Sequence, residues 1–286
     1  MNKKHWVILI LVTTIAFIIG VYIGNYKTAV FWSVYKLVSA KSVKNSVSSI
    51  RDIDLSFRTE AKVDTAFRTG VFVTYGQSNA SNAGQFGYSV KNKVYQYYDD
   101  KTYKYEDPAL GGTDGQGSVW GQVGDKMIDK GLFDQVVFSV TGVGGKPLEE
   151  LNKGECYEYF KHEYLHMSKT FGKVDAILFH QGESNNCAIG NDKIYKAEFE
   201  KFITKMRQDG ITAPIYLARS SYFDGKYDSI VIRVQNEMIR DNKNVLKGPN
   251  SDLLTNKKLR LPDDLHFSMA GFDSLSTLWV EAMIAK

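Results

Sequence analysis

The chain has 286 residues, 36 basic and 32 acidic side chains, 43% apolar residues and 24% charged ones, which excludes both a disordered tail and a polytopic membrane protein. Its net charge of +4 comes from one end: residues 1–50 carry six lysines and no acid, so 30 basic and 32 acidic side chains remain from Arg51 onward. A near-neutral body gives no electrostatic ground for nucleic acid as a partner, and two cysteines are too few for a disulfide scaffold or a cysteine-based zinc site.

In chain order, the first element is the uncharged run Trp6–Tyr26, preceded by Lys3, Lys4 and His5. At 1.5 Å per residue, about 20 residues cross a hydrocarbon core of roughly 30 Å. A cleaved signal peptide has a shorter apolar core followed by a small-x-small site, and the nearest such site here, Val38-Ser39-Ala40, lies well beyond the run. The expectation is a transmembrane anchor over residues 1–26, a tether over 27–65 and one exported domain over 66–286. Lys27, Lys36, Lys41 and Lys44 follow the span, so lysine counts do not orient it.

From about residue 70 short apolar runs alternate with helical patterns. Val71–Tyr75, Gln135–Val140, Val174–His180 and Pro214–Arg219 each end in glycine or polar turns, as buried parallel strands do. Val119–Lys130, Glu155–Thr170, Tyr195–Gln208, Ser229–Asn242 and Ala270–Ala285 carry helical periodicity. The alternation predicts an α/β fold, a three-layer α/β/α sandwich around a central parallel sheet. Ligands of such sheets bind beyond the carboxyl ends of the strands.

Three strand exits therefore carry the candidate chemistry. Gly76-Gln77-Ser78-Asn79 can expose a serine hydroxyl at a tight strand-to-helix turn, although Ser78 or Asn79 would equally serve as an ordinary cap. It is not the G-x-S-x-G elbow, because Asn79 and Ala80 follow Ser78. Thr141-Gly142-Val143-Gly144-Gly145 permits close approach of backbone amides to a ligand oxygen, or is a plain flexible connection. His180-Gln181-Gly182-Glu183-Ser184-Asn185 crowds hydrogen-bonding side chains at one strand end, more than packing alone calls for. Late in the chain, Asp263-Asp264-Leu265-His266 places an aspartate three residues before a histidine, where it can orient the imidazole.

Taken together and in this order, GQSN, the Gly-Gly loop, HQGESN and D-x-x-H resemble the SGNH hydrolase superfamily, whose fold is a flavodoxin-like α/β sandwich. The match is closest to the sialate O-acetylesterase-like branch, which includes carbohydrate acetyl esterases, and spans roughly residues 70–286 with Asp107–Met127 as that branch's pre-helix segment. The resemblance implies Ser78 as nucleophile, His266 as general base and Asp263 as its orienting partner, with the adjacent Asp264 left open. It implies an oxyanion hole from the Ser78 amide, the Gly144 amide (Gly145 if the loop is shifted) and the Gln181 side chain. Much of the superfamily carries asparagine at that last position. Gln77, Asn79, Glu183 and Asn185 would fix the loop or touch substrate. The implied partner is an acetylated carbohydrate, with no metal or organic cofactor.

Two other readings compete. His162-Glu163-Tyr164-Leu165-His166 matches H-E-x-x-H on a helix, which would make a zinc metallopeptidase with Glu163 as base. A non-catalytic carbohydrate-binding domain on the same fold is the other, against which retention of Ser78, Asp263 and His266 argues. Tyr95 and Tyr97, within a tyrosine-rich segment after the serine turn, read as an ordinary strand pair. Cys156 and Cys187 would pair in an exported body or stay as two free thiols in a reducing compartment, and the sequence favours neither.

Overall fold

In the computed structural model, which describes residues 46–51, 54–186 and 191–285, the apolar runs become neighbouring strands of one sheet. The strands are β1 (Thr69–Gly76), β2 (Val94–Tyr98), β3 (Lys101–Lys104), β4 (Gln135–Val140), β5 (Ala176–His180), β6 (Ile215–Arg219) and β7 (Val245–Asn250). The helices are α1 (Ser48–Arg51), α2 (Trp120–Asp129), α3 (Leu148–Leu151), α4 (Gly154–Phe171), α5 (Asn191–Gln208), α6 (Ser229–Asp241) and α7 (Met269–Ile284). The sheet order is β3-β2-β4-β1-β5-β6-β7, parallel throughout except for β3, which runs antiparallel to β2.

Strand alternation divides the interior into two cores. Val71, Val73 and Tyr75 face α4, α5 and α6 with Ile177, Phe179 and Leu217, and Tyr75 stacks on Phe160 at 4.3 Å between ring centroids. Phe72, Phe138, Leu178 and Tyr216 face α2 and α7, where Trp120 and Trp279 lie 5.4 Å apart. Both faces are covered, which is why the strands read as continuous apolar runs. The predicted strand pair at Tyr95 and Tyr97 is the β2–β3 ribbon, in register Tyr95↔Lys104 and Tyr97↔Thr102.

Strand β7 has no counterpart in the predicted elements. Its sequence, VLKGPN, contains glycine and proline, residues that strands admit at edges and close approaches. A Cβ on Gly248 would stand 2.6 Å from the carbonyl carbon of Leu217 on β6, so the neighbouring backbone dictates glycine there.

Part of the expected tether lies against the domain. Val47 and Ile50 are buried in the first core, and the Tyr98 hydroxyl donates to the Ile50 carbonyl at 3.1 Å. The Lys104 amide donates to the Thr59 carbonyl and the Ala61 amide to the Thr102 carbonyl, both at 2.9 Å, which adds a strip of chain to β3. The run Trp6–Tyr26 lies outside the described residues, and among the described residues no helix is long and apolar enough to cross a membrane. Cys187 also lies outside them, so the question of its pairing with the buried Cys156 does too.

Candidate active site

Strand β1 sits at the middle of the sheet and ends at Gly76, whose φ of +136° and close fit leave no room for a side chain: a Cβ would meet the His180 carbonyl oxygen at 2.0 Å. The chain then turns through a short 3-10 segment, Ser78–Ala80, closed by the Ala80 amide on the Gln77 carbonyl at 2.8 Å. This turn holds Ser78 Oγ 2.9 Å from His266 Nε2.

His266 reaches the same point from the far end of the chain. The segment from Leu259 to Ser268 folds back on itself, the Leu261 amide donating to the His266 carbonyl at 2.7 Å and the Ser268 amide to the Leu259 carbonyl at 3.0 Å. Arg260, itself buried, stitches this segment with hydrogen bonds to the carbonyls of Leu254 (2.7 Å), Leu265 (2.5 Å) and Ser251 (3.0 Å), while its guanidinium lies over the Phe267 ring at 3.8 Å. Asp263 Oδ2 is 2.7 Å from His266 Nδ1, and Asp263 Oδ1 accepts from the Leu265 and His266 amides at 3.0 Å each. Burial pushes the Asp263 carboxyl up, but the imidazole and the two amides outweigh it and hold the carboxyl below its ordinary range. An ionised Asp263 keeps the proton on Nδ1 and leaves Nε2 free to accept from Ser78. Asp264 turns away with a φ of +57° and accepts from the Tyr222 hydroxyl at 2.9 Å.

Gln181, Glu183 and Asn185 of HQGESN hydrogen-bond to protein. Gln77 Oε1 accepts from the Ser184 amide at 3.0 Å and the Gly182 amide at 3.3 Å. Asn79 Nδ2 donates to Glu183 Oε1 at 2.7 Å. Glu183 is fully enclosed; burial raises its carboxyl, and His180 (Nε2 3.3 Å from Oε1) together with Asn79 brings it down below the usual range. Asn185 Oδ1 accepts from the Leu148 amide at 3.0 Å and from Gln181 Nε2, and its Nδ2 donates to Glu149 at 3.1 Å. Gln77, Asn79, Glu183 and Asn185 are thus buried members of a network behind the serine turn.

The expected oxyanion donors are placed unequally. Gln181 Oε1 accepts from the Tyr195 hydroxyl at 3.0 Å, and Tyr195 accepts from Gln235 Nε2 at 3.1 Å, so the amide is fixed with its NH2 on the Asn185 side. The Gly144 amide donates to Thr113 Oγ1 at 2.7 Å instead of facing outward, whereas Gly145 is exposed with a φ of +70°. Thr113, Tyr195, Gln235 and Arg260 are residues that sequence reasoning missed. Thr113 acts on Gly144 31 residues away and Gln235 on Tyr195 40 residues away, whereas Arg260 bonds within its own segment; only Thr113 lies in a motif stretch quoted for the resemblance, Asp107–Met127.

The H-E-x-x-H reading is corrected. The His162 and His166 rings stack at 3.9 Å, with Nδ1 atoms 3.3 Å from Glu163 and 2.7 Å from Asp100. Glu163 is buried under α4, with one carboxylate oxygen 3.4 Å from Ser139 Oγ of β4. Among the described residues no group of three or more His, Cys, Asp or Glu side chains could hold a metal ion.

A family model described as carbohydrate esterase, sialic acid-specific acetylesterase matches residues 115–285. The chain belongs to this family. Solved structures agree with such carbohydrate esterases at the level of the fold. A protein of Arabidopsis thaliana superposes with a TM-score of 0.63 at 18% identity, over 77% of this chain and 99% of that one. A carbohydrate acetylesterase from Xanthomonas citri gives 0.53 at 14% identity over 74% of this chain and 55% of its own, and NanS gives 0.54 at 12% over 76% and 97%. No curated protein sequence is similar enough to count as a match.

Proposed function

We propose that this carbohydrate esterase removes O-acetyl groups from a glycan through a serine-bound acyl-enzyme. The observation that carries the reading is the continuous series from Ser78 Oγ to His266 to Asp263, at 2.9 and 2.7 Å, at the carboxyl end of the central strand. Ser78 Oγ attacks the acetyl carbonyl carbon as His266 Nε2 takes its proton, and the imidazolium is balanced by Asp263. The tetrahedral oxyanion is met by the Ser78 amide and the Gln181 NH2, and by the Gly144 amide once its bond to Thr113 is exchanged for one to substrate. His266 then passes the proton to the departing sugar oxygen, the ester C–O bond breaks, and acetyl-Ser78 forms. Water deprotonated by His266 attacks the acyl carbon, and acetate leaves as Ser78 regains its proton.

Ser78→Ala tests this. It should lower kcat for 4-nitrophenyl acetate by at least roughly 10³-fold with an unchanged circular dichroism spectrum. Undiminished turnover by the variant would remove the reading. We further propose that Trp6–Tyr26 anchors the domain in a membrane on the exported side. Recovery of the intact chain from the cytosol would contradict it.

A further inference from the structure

Beyond β6 the chain forms a tight aromatic hairpin. The Phe223 amide donates to the Lys226 carbonyl and the Lys226 amide to the Phe223 carbonyl, each at 3.0 Å. Asp224 and Gly225 between them have φ of 49° and 73°, the positive pair that a two-residue type I′ turn requires. The hairpin is held from three sides. Asp252 accepts from the Ser221 amide (2.8 Å), the Ser221 hydroxyl (2.6 Å) and the Tyr222 amide (3.0 Å). Asn186, directly after HQGESN, donates to the carbonyls of Ser221 and Lys226 at 2.5 and 2.9 Å. The Tyr222 hydroxyl donates to Asp264, the residue beside Asp263.

Phe223 and Lys226 face each other across the ribbon, so Tyr222 and Tyr227 share its opposite face. Their rings lie 5.2 Å apart at 55°, and Tyr222 directs that face to the catalytic segment. Tyr222 is buried, whereas Tyr227 is 57% exposed, its hydroxyl 3.3 Å from Thr255 Oγ1. Tyr227 is thus a half-open ring packed on Tyr222, and it is Tyr222 that reaches Asp264, the neighbour of Asp263, by a hydrogen bond; a ring held against such a partner is pre-organised for contact. An exposed aromatic face of this kind takes a flat apolar surface. A neutral pyranose offers one: its axial C–H bonds stack on an aromatic face while its equatorial hydroxyls stay in water.

We propose that Tyr227, backed by Tyr222, is a sugar-stacking platform that binds a pyranose ring of the acetylated substrate on the side of the Asp263–His266 segment where Asp264 lies. This rests on the esterase reading and names where its carbohydrate is held. Steady-state kinetics of the full chain on acetylated xylan and on 4-nitrophenyl acetate test it. In Tyr227→Ala the ratio of kcat/KM for xylan to that for the small ester should fall about tenfold, through KM, the scale of losing one aromatic anchor. Tyr227→Phe should restore the ratio, and Phe223→Ala, on the other ribbon face, should leave it near wild type. An unchanged ratio in Tyr227→Ala, an equal fall in Phe223→Ala, or a wild-type enzyme that cleaves the small ester but no acetylated xylan would overturn the platform. Binding of acetylated xylan by Ser78→Ala in affinity electrophoresis separates the two readings. Retardation lost on adding Tyr227→Ala supports the platform whatever Ser78 does in turnover, and retardation kept in the double variant rejects it.

Discussion

Asp263 and Asp264 are neighbours whose carboxylates part company because the second adopts a left-handed backbone, φ +57°. Spacing from His266 fits both, and the hydrogen bonds assign His266 to one and Tyr222 to the other. Asp263→Asn should therefore cost roughly 10³–10⁴ in kcat, through the wrong imidazole tautomer, and Asp264→Asn less than about tenfold. Comparable losses in both variants would contradict the assignment. Glu163 offers a second test at this scale. Burial, aided by Asp99 and Asp100 and opposed by the Ser139 hydroxyl, raises its carboxyl from 4.5 to about 8. The folded chain then binds a proton that the unfolded chain releases, so this group's contribution is intact below about pH 4.5 and is lost as pH rises toward 8. Glu163→Gln should melt higher than wild type at pH 8, by roughly 2–4 °C per kcal/mol relieved, and not at pH 4.5, with esterase activity retained. An equal melting shift at both pH values would show that its carboxyl is not held protonated.

At the scale of elements, the serine turn depends on two strands approaching more closely than side chains allow. Gly76→Ala would drive a methyl into the His180 carbonyl and strain a φ of +136°, so the variant should lose stability by roughly 3 kcal/mol or more and lose activity with it. Urea unfolding checks this, and a midpoint equal to wild type would mean that the strand exits part easily. The segment before β1 matters as well. Val47 and Ile50 each bury a side chain worth about 1.5–3 kcal/mol, and residues 59–61 extend the sheet past β3. A chain beginning at residue 66 should melt several degrees below one beginning at residue 46. Equal melting temperatures would make those contacts dispensable. Sequence reading misses both this docking and β7, because neither segment has an apolar period of its own; their places come from the strands beside them.

For the whole molecule, the sheet divides two cores that must both be filled for parallel strands to persist. Trp279 is fully buried in the second core against Trp120, so Trp279→Ala should cost about 3–5 kcal/mol, seen as a lower urea midpoint with an unchanged m-value. A midpoint shifted by less than about 1 kcal/mol would mean that the α2–α7 layer contributes little. Strand and helix periods, and glycines at the strand exits, were legible in the chain because they follow from backbone geometry and from burial on two faces. Short motifs in a fixed order single out Ser78 and His266 as candidates, but they leave Asp263 and Asp264 undecided. Ser78 and His266 are 188 residues apart, and their 2.9 Å contact depends on the order of strands in the sheet, which no local pattern encodes. Shorter separations, of 14 to 42 residues, hid the Thr113 bond to Gly144, the Tyr195–Gln235 hold on Gln181 and the tyrosine hairpin beside Asp264. They also hid the inward turn of Glu163, whose motif alone would serve a metal. Local periodicity specifies which residues form each element, whereas tertiary packing decides which polar side chains meet, because each pairing forms only after the elements that carry it have docked.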